Sequence, residues 1–264
     1  MKRRHLLASA VLTAPAVMAA TPPPAGAKHT FVLQHGAWHG GWCWAPVAEI
    51  LRSKGHIVFT PTATGLGDRS HLISKNVDIE MFVNDLVSTI KSEELQNIVL
   101  VGHSFGGIAI SGAADRVPER IRKLVFLEAA ILQPGQSVLD GVPPAVAAQR
   151  RQAISAGGGV SLPAPPPSYF GVSDGPAADW LRRQLTPHPA VTYDSPLMLK
   201  NPVGNGLPTT YISCTRMPLA SIEPMRQWAR AQPSWSHREL DAVHDAMVTA
   251  PAALADMLLQ IAAS

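Results

Sequence analysis

The sequence of 264 residues has little charge, little cysteine and no long apolar run beyond its N-terminus. Charged residues make up only 16%, which excludes long disordered acidic or basic tails, and apolar residues make up 46%, enough for a substantial core. No segment after the N-terminus is both long and apolar enough to span a membrane. An exported protein could pair the two cysteines, Cys43 and Cys214, but we interpret them as unpaired, small apolar residues.

The N-terminal residues 1–27 have the layout of a secretory signal: a basic start, a short apolar run and a small-residue end. Arg3 and Arg4 are adjacent, as in a twin-arginine signal, and Ala25-Gly26-Ala27 offers a cleavage site. A retained membrane anchor is the alternative, but the run is short and Pro15 interrupts it. We therefore predict an exported protein, periplasmic or secreted, with residues 28–264 as the mature chain.

The charge balance of the mature chain argues against nucleic acid as a partner. The sequence has 22 lysines and arginines against 19 aspartates and glutamates, and three of the basic residues but no acidic one lie in the leader. The mature chain is therefore formally neutral, and it is not expected to insert stably into a membrane once the leader is removed.

Strand-like and helix-like segments alternate along the mature chain, and we find no internal repeat. The stretch "NIVLVGH" lacks polar alternation, as expected of a strand covered on both faces. The segment "VDIEMFVNDLVSTIKSEE" has one apolar helical face, formed by Ile79, Phe82, Val83, Leu86, Val87 and Ile90. The alternation predicts an α/β fold in which a mostly parallel central sheet has helices on both faces.

Residues 130–206 interrupt this alternation with proline and glycine clusters such as "GGGVSLPAPPPSYFGV". A stretch of this length is too long for a simple connection. We predict a cap inserted over a binding site, with a flexible surface insertion as the alternative. Apolar side chains suited to line or cover a cavity are Phe170, Trp180, Leu181 and Leu197.

The sequence Gly102-His103-Ser104-Phe105-Gly106 fits the G-x-S-x-G pattern of a nucleophile elbow. It follows an apolar strand and begins a helix, which is the context that this motif requires. The glycines leave room for a strained turn that lifts the Ser104 hydroxyl above the carboxyl end of the sheet. An ordinary glycine-rich turn is the alternative reading.

A serine hydroxyl needs a base, and the base needs an acid to orient it. His244 in "DAVHDAM" is the candidate base, because the histidine comes last in the chain order of this motif. Other histidines fit less well: His5 lies in the leader, His103 is the variable residue of the elbow, and His237 falls within a predicted strand.

With these motifs the chain resembles the α/β-hydrolase superfamily, and within it the plant methylesterase and hydroxynitrile lyase branch with its bacterial esterase relatives. The segments that carry the resemblance are "FVLQHGAWHGGWCWAPVAEILRSKGH", "VLVGHSFGG", "RIRKLVFLEA", "YISCT" and the His244 segment. The resemblance implies an oxyanion hole formed by two backbone N–H groups, those of Ala37 and Phe105.

The chain departs from the plant pattern at the acid, because Met217 stands where that branch usually carries a carboxylate. Glu128, at the end of the strand "KLVFLE", is the preferred replacement, because that strand end opens toward the same crevice. Glu223 and the absence of a strict triad acid stay open as alternatives. For Glu128 itself, the alternative is a structural carboxylate that caps the next turn or pairs with an arginine. Asp241 and Asp245 flank His244 too closely to reach back to it.

Two other sets of polar residues are weaker candidates for a functional role. His35 and His39 resemble a metal-binding pair, but no carboxylate or third ligand is near them in sequence, so we predict no metal and no cofactor. The segment Thr64–Arg69 follows a strand end and either borders the crevice or is only a loop.

These residues predict a serine hydrolase that cleaves small to medium carboxylic esters through an acyl-enzyme, with Trp38 and Trp180 as substrate contacts. A lactonase or an amidase would use the same residues. A hydroxynitrile lyase is the first alternative, but the resembling lyases carry Thr and Lys where this chain has Ala37 and Asp245. A ligand-binding protein on the same fold is the second. The oligomeric state, a homodimer included, is left open.

Overall fold

A computed structural model describes residues 26, 28–217 and 219–264. The predicted leader and its cleavage site therefore lie, apart from Gly26, outside the described residues. The described residues form eight strands: β1 Thr30–Gln34, β2 Ile57–Phe59, β3 Ile98–His103, β4 Ile121–Leu127, β5 Ser161–Leu162, β6 His188–Pro189, β7 Thr209–Cys214 and β8 Trp235–Leu240. They also form eight α-helices: α1 Ala45–Ser53, α2 Ile79–Ser92, α3 Gly106–Arg116, α4 Pro144–Ala156, α5 Pro176–Gln184, α6 Glu223–Arg230, α7 Ala246–Thr249 and α8 Pro251–Ala263.

Six strands form one parallel sheet in the order β2-β1-β3-β4-β7-β8. Alternate residues of the central strands face opposite layers. In β3, Ile98 and Leu100 join the core that contains α2 and α3, whereas Val99 and Val101 join the core that contains α1 and α8. Helices therefore cover both faces, and the predicted fold class is confirmed.

Helix α2 follows the predicted apolar period, since all six residues of its predicted face are buried. Its N-terminus is set by Asp78, whose carboxylate accepts a hydrogen bond of 2.8 Å from the Met81 N–H. No helix in the described part of the chain has both the length and the apolar character to cross a membrane.

The insert, defined here as residues 130–206, leaves the central sheet after β4 and returns before β7. It contains α4, α5 and the short antiparallel pair β5 and β6. Cys43 and Cys214 lie outside the insert and are buried free thiols, as predicted.

Candidate active site

The sharp turn at Ser104 connects β3 to α3. Ser104 has a φ of 51°, a left-handed conformation that costs a non-glycine residue roughly 1–3 kcal/mol. Hydrogen bonds hold the turn: the Ser104 N–H donates to the Leu127 carbonyl at 3.1 Å, and the Ser104 carbonyl accepts from Gly107 and Ala130 at 3.0 and 2.9 Å. The strain is thus maintained by main-chain contacts from the neighbouring strand end.

Close backbone approach explains the two glycines of the motif. A Cβ atom on Gly102 would lie 2.7 Å from the Gly106 carbonyl oxygen, and one on Gly106 would lie 2.6 Å from the His35 carbonyl oxygen. Both distances are too short for non-bonded atoms. Only glycine therefore fits on either side of Ser104 in this turn, as expected for a nucleophile elbow.

His244 lies in the loop between β8 and α7 and is buried. Neither of its ring nitrogens has a hydrogen-bond partner among the described residues. Its Nδ1 is 3.7 Å from the Oε2 atom of Glu128, longer than a hydrogen bond but within ion-pair range. His244 and Ser104 line the same cavity, so the structure brings together the predicted nucleophile, base and acid.

Glu128 follows directly after β4, is completely buried and has a φ of 46°. Its Oε1 accepts hydrogen bonds from the Cys214 N–H at 2.6 Å and from Nε of Arg226 at 3.0 Å, and its Oε2 accepts from Nη2 of Arg226. Burial raises the pKa of Glu128, but His244, Arg226 and the Cys214 N–H outweigh burial and hold it below its ordinary value. Glu128 is therefore an ionised carboxylate with one edge toward His244.

Arg226 was not recognised from the sequence, although it holds Glu128 with two parallel donors. It lies in α6, and its side chain is 5% exposed. It also donates to the Cys214 carbonyl at 3.1 Å and to Glu223 at 3.2 Å. A signal was present: Arg226 stands on the inward stripe of α6 beside Met225 and Ala229, and a buried arginine in such a stripe requires a buried carboxylate.

The other acid candidates are placed elsewhere. The Glu223 side chain is 42% exposed and pairs with Arg226 rather than with His244. Met217 is 67% exposed, in a turn with a φ of 48°. Asp241 pairs with Arg216 on the surface.

The two predicted oxyanion donors line the cavity beside Ser104. Neither the Ala37 N–H nor the Phe105 N–H donates a hydrogen bond to any residue in the described part of the chain. Phe105 immediately precedes α3, so the positive end of that helix also faces this point.

The cavity measures about 360 Å³ and is largely apolar. Most of its lining residues belong to the insert, among them Val138, Val142, Ala153, Leu162, Tyr169, Phe170 and Tyr193. The charged side chain in the described lining is Arg150, whose guanidinium carbon lies 5.7 Å from the centre of the Tyr193 ring. The insert therefore shapes the space above Ser104; that it acts as a movable cap stays a prediction.

The two predicted tryptophan contacts differ in position. Trp38 lines the cavity, and its Nε1 donates to the Leu162 carbonyl at 3.3 Å. Trp180 is not among the described lining residues, because its ring packs against the edge of Trp42 at 5.1 Å between centroids. The sequence indicated an apolar side chain on α5 but not the face toward which it points.

The segment Thr64–Arg69 is a turn that leads into a 3₁₀ helix, Gly67–Leu72, outside the described lining of the cavity. Asp85 of α2 accepts from the Thr64 N–H at 2.6 Å, from the Thr64 hydroxyl at 3.0 Å and from Arg69 at 3.1 Å. Of the two interpretations left open, these contacts favour the loop.

The histidines of the loop after β1 have separate structural partners. His35 donates from Nδ1 to the Gly36 carbonyl at 2.8 Å and accepts at Nε2 from the Ala63 N–H at 3.0 Å, so it is neutral. Burial lowers its pKa to about 4. His39 binds Asp245 instead, at 3.1 Å. The predicted absence of a metal at this pair is not tested.

A different cluster has metal-like spacing. One ligand atom from each of His103, His244 and Asp245 lies within 4.8 Å of the others. His103 Nε2, however, donates to the His244 carbonyl at 2.9 Å, and Asp245 is paired with His39. We therefore interpret His103 and Asp245 as parts of a hydrogen-bonded network that supports the loop carrying His244, rather than as metal ligands.

Comparison with known proteins agrees with this geometry. The profile of the alpha/beta hydrolase family matches residues 31–257. This chain belongs to the alpha/beta hydrolase family. It is 38% identical over 240 residues to the carbendazim hydrolyzing esterase of Nocardioides sp. (strain SG-4G), a match that covers 86% of this chain and 97% of that protein.

This chain also matches proteins of the plant branch. The alpha-hydroxynitrile lyase of Arabidopsis thaliana is 41% identical over 103 residues, 39% of this chain and 40% of the lyase. A solved extracellular alpha/beta-hydrolase from a Paenibacillus species, described as homologous in structure and function to tobacco salicylic acid binding protein 2, matches with a TM-score of 0.76 and 28% identity. That match covers 88% of this chain and 98% of the other. The predicted resemblance to both plant and bacterial relatives is confirmed.

Proposed function

We propose that this protein is a serine esterase that hydrolyses small to medium carboxylic esters through an acyl-enzyme. The esterase relative and the family match support a carboxylic ester hydrolase. The observation that carries the finer proposal is the combination of Ser104 on a strained turn with His244 in the same cavity and Glu128 3.7 Å behind its Nδ1.

In the acylation step, the Ser104 Oγ attacks the ester carbonyl and its proton passes to Nε2 of His244. The negative charge that develops on the carbonyl oxygen is stabilised by the Ala37 and Phe105 N–H groups, an effect worth ~3 kcal/mol for each donor. When the carbon–alkoxide bond breaks, His244 returns the proton to the leaving alcohol. Glu128 holds the His244 tautomer and stabilises the imidazolium.

Deacylation repeats these steps with water as the nucleophile. His244 removes a proton from water, the hydroxide attacks the acyl carbon, and Ser104 leaves as the free alcohol. The apolar cavity of about 360 Å³ suits an acyl group of small to medium size.

The hydroxynitrile lyase alternative is less well supported. By resemblance it requires a lysine directly after the catalytic histidine, where this chain has Asp245. That carboxylate is buried against His39 and is not in the described lining of the cavity. Ala37 also offers no hydroxyl to a cyanohydrin.

The test is hydrolysis of p-nitrophenyl acetate, butyrate and octanoate by the purified protein and by Ser104→Ala, with the exposed Ser92→Ala as the matched control. We expect Ser104→Ala to lose at least about 10³-fold in kcat with an unchanged melting temperature, because the nucleophile is absent. The control should retain the parent rate. Equal turnover by Ser104→Ala and the parent would disprove the serine mechanism, and the chain-length profile measures the usable depth of the cavity.

A further inference from the structure

His39 and Asp245 form a completely buried contact that the mechanism above does not use. His39 Nε2 lies 3.1 Å from Oδ2 of Asp245, and His39 Nδ1 lies 2.7 Å from the Ala37 carbonyl oxygen. The two residues are 206 positions apart in the sequence. Both are almost completely buried, at 1% and 0% exposure.

The partners of His39 determine its protonation. A carbonyl oxygen can only accept a hydrogen bond, and an ionised carboxylate can only accept as well. With acceptors at both ring nitrogens, His39 must donate from both, so it is an imidazolium paired with the Asp245 carboxylate. Stacking on Trp42, with ring centroids 5.4 Å apart and 24° between planes, is a further favourable contact for a cation.

The pKa directions agree with this assignment. Burial alone would lower the pKa of His39, but the charge of Asp245 and the two hydrogen bonds outweigh it and raise the pKa. Burial would raise the pKa of Asp245, but His39 and the neighbouring histidines lower it. Each partner therefore keeps the other charged.

The position of the pair gives it a consequence for catalysis. Ala37, whose carbonyl binds His39, also supplies an N–H to the proposed oxyanion hole, and Asp245 directly follows the base, His244. His103 adds a third contact: it directly precedes Ser104, and its Nε2 donates to the His244 carbonyl and lies 3.9 Å from Oδ1 of Asp245. The loops that carry the oxyanion donor, the nucleophile and the base thus meet at one charge pair.

We propose that His39 and Asp245 are positioning residues, an ion pair that holds the oxyanion loop and the histidine loop in register for the transition state. The proposal rests on the proposed esterase function. Its mechanism is specific: without the Asp245 charge, His39 becomes neutral, and one of its nitrogens turns from donor to acceptor. In Asp245→Asn the amide can donate to Nε2 while Nδ1 keeps its proton on the Ala37 carbonyl, so a neutral hydrogen bond replaces the charge-assisted pair and holds the adjacent N–H less firmly at the developing oxyanion.

The test is a double-mutant cycle of Asp245→Asn and His39→Gln on the full protein, measured as kcat and KM for p-nitrophenyl butyrate. We expect each single variant to lose roughly 10–100-fold in kcat, less than the loss of an oxyanion donor, with KM within about twofold of the parent. The double variant should lose no more than either single variant, because the pair acts as a unit. Parent-like kcat in the folded single variants, or additive losses, would overturn the proposal.

The matched control is the surface pair Lys54 and Asp256, 2.9 Å apart with side chains 48% and 58% exposed. Lys54→Gln and Asp256→Asn should leave kcat, KM and melting temperature unchanged, because exposed ion pairs contribute little. A merely structural role for the buried pair would lower the melting temperature and the folded fraction without lowering kcat per folded molecule. Circular dichroism supplies the folded fraction.

Two readouts separate this proposal from the esterase proposal. The first is the rate at which a fluorophosphonate labels Ser104, which needs no ester: we expect slower labelling in Asp245→Asn even if the parent hydrolyses none of the esters, whereas an unchanged rate counts against positioning. The second is the nitrogen-15 NMR spectrum of the His39 ring near neutral pH, which should show two protonated nitrogens. A neutral His39 ring in the parent would overturn the proposal irrespective of activity.

Discussion

Two buried carboxylates lie near His244, and their partners differ. Glu128 is bound by Arg226, whose guanidinium stays protonated at any pH at which the protein is folded. Asp245 is bound by His39, whose charge, in the proposal above, depends on the ionised Asp245. Glu128, which lies beside Nδ1 of the proposed base, therefore belongs to an ion pair whose cation stays charged at any pH at which the protein is folded. The pair that joins the two loops is an ion pair only while Asp245 is ionised.

The largest effect on the two carboxylates is expected from substitution of Glu128. Glu128→Gln keeps the shape of the side chain but removes the charge that stabilises the His244 imidazolium, so we expect kcat to fall by roughly 10³–10⁴-fold. The steady-state rate for p-nitrophenyl butyrate measures this loss. Glu223→Gln is the matched control and should retain the parent rate, because Glu223 does not contact His244; a large loss there would reassign the acid.

Removal of Arg226 tests how much the ion pair with Glu128 contributes to stability. Arg226→Met leaves Glu128 buried without its counter-charge, so we expect the free energy of unfolding to fall by about 3–5 kcal/mol. Urea unfolding followed by circular dichroism gives this value. Arg230→Met, on the exposed face of the same helix, controls for the change in helix α6.

The double variant Glu128→Gln/Arg226→Met distinguishes a broken pair from a replaced one. Replacement of both charged partners leaves no uncompensated charge, so the double variant should be more stable than Arg226→Met alone by roughly 1–3 kcal/mol. Urea unfolding under the same conditions makes the comparison. A double variant less stable than Arg226→Met would show that the cost lies in packing rather than in charge.

The pH dependence of the unfolding free energy tests whether Glu128 is ionised. The pKa of Glu128 is lowered in the folded protein from an ordinary value of 4.5, so the stability that it contributes is complete above about pH 4.5 and is lost as the pH falls through the lowered folded pKa. The unfolding free energy of the parent relative to the double variant should therefore fall from pH 5 to pH 3. A rise of the parent's relative stability with acid would mean that Glu128 is protonated at neutral pH.

The smallest effect is expected at an exposed pair. Arg116 of α3 binds Glu80 of α2 at 2.5 Å, with side chains 25% and 50% exposed. Arg116→Gln should lower the free energy of unfolding by only about 0.2–1 kcal/mol and leave kcat unchanged. A loss as large as that of Arg226→Met would contradict the distinction between buried and exposed pairs.

Local patterns predicted the fold well and indicated that Ser104, His244 and Glu128 lie close together. The alternation of strands and helices specified the sheet, and the glycines around Ser104 specified the turn, because both depend on neighbouring residues. Glu128 followed from the rule that parallel strand ends meet at one edge. Arg226 was missed although it stands on the inward stripe of α6, because that stripe does not identify its partner Glu128, 98 positions away. The pair of His39 with Asp245 was missed because no local period encodes a contact across 206 positions. Trp180 lies outside the described lining of the cavity, because hydrophobicity does not determine which apolar surface α5 meets.

The proposed catalytic groups and most of the cavity wall come from different parts of the chain. Ser104, Glu128 and His244 stand at the ends of sheet strands, whereas most of the cavity wall comes from the insert. This division gives an engineer a modular target. Libraries of substitutions at Val138, Val142 and Leu162 would vary the shape of the cavity and leave Ser104, Glu128 and His244 unchanged.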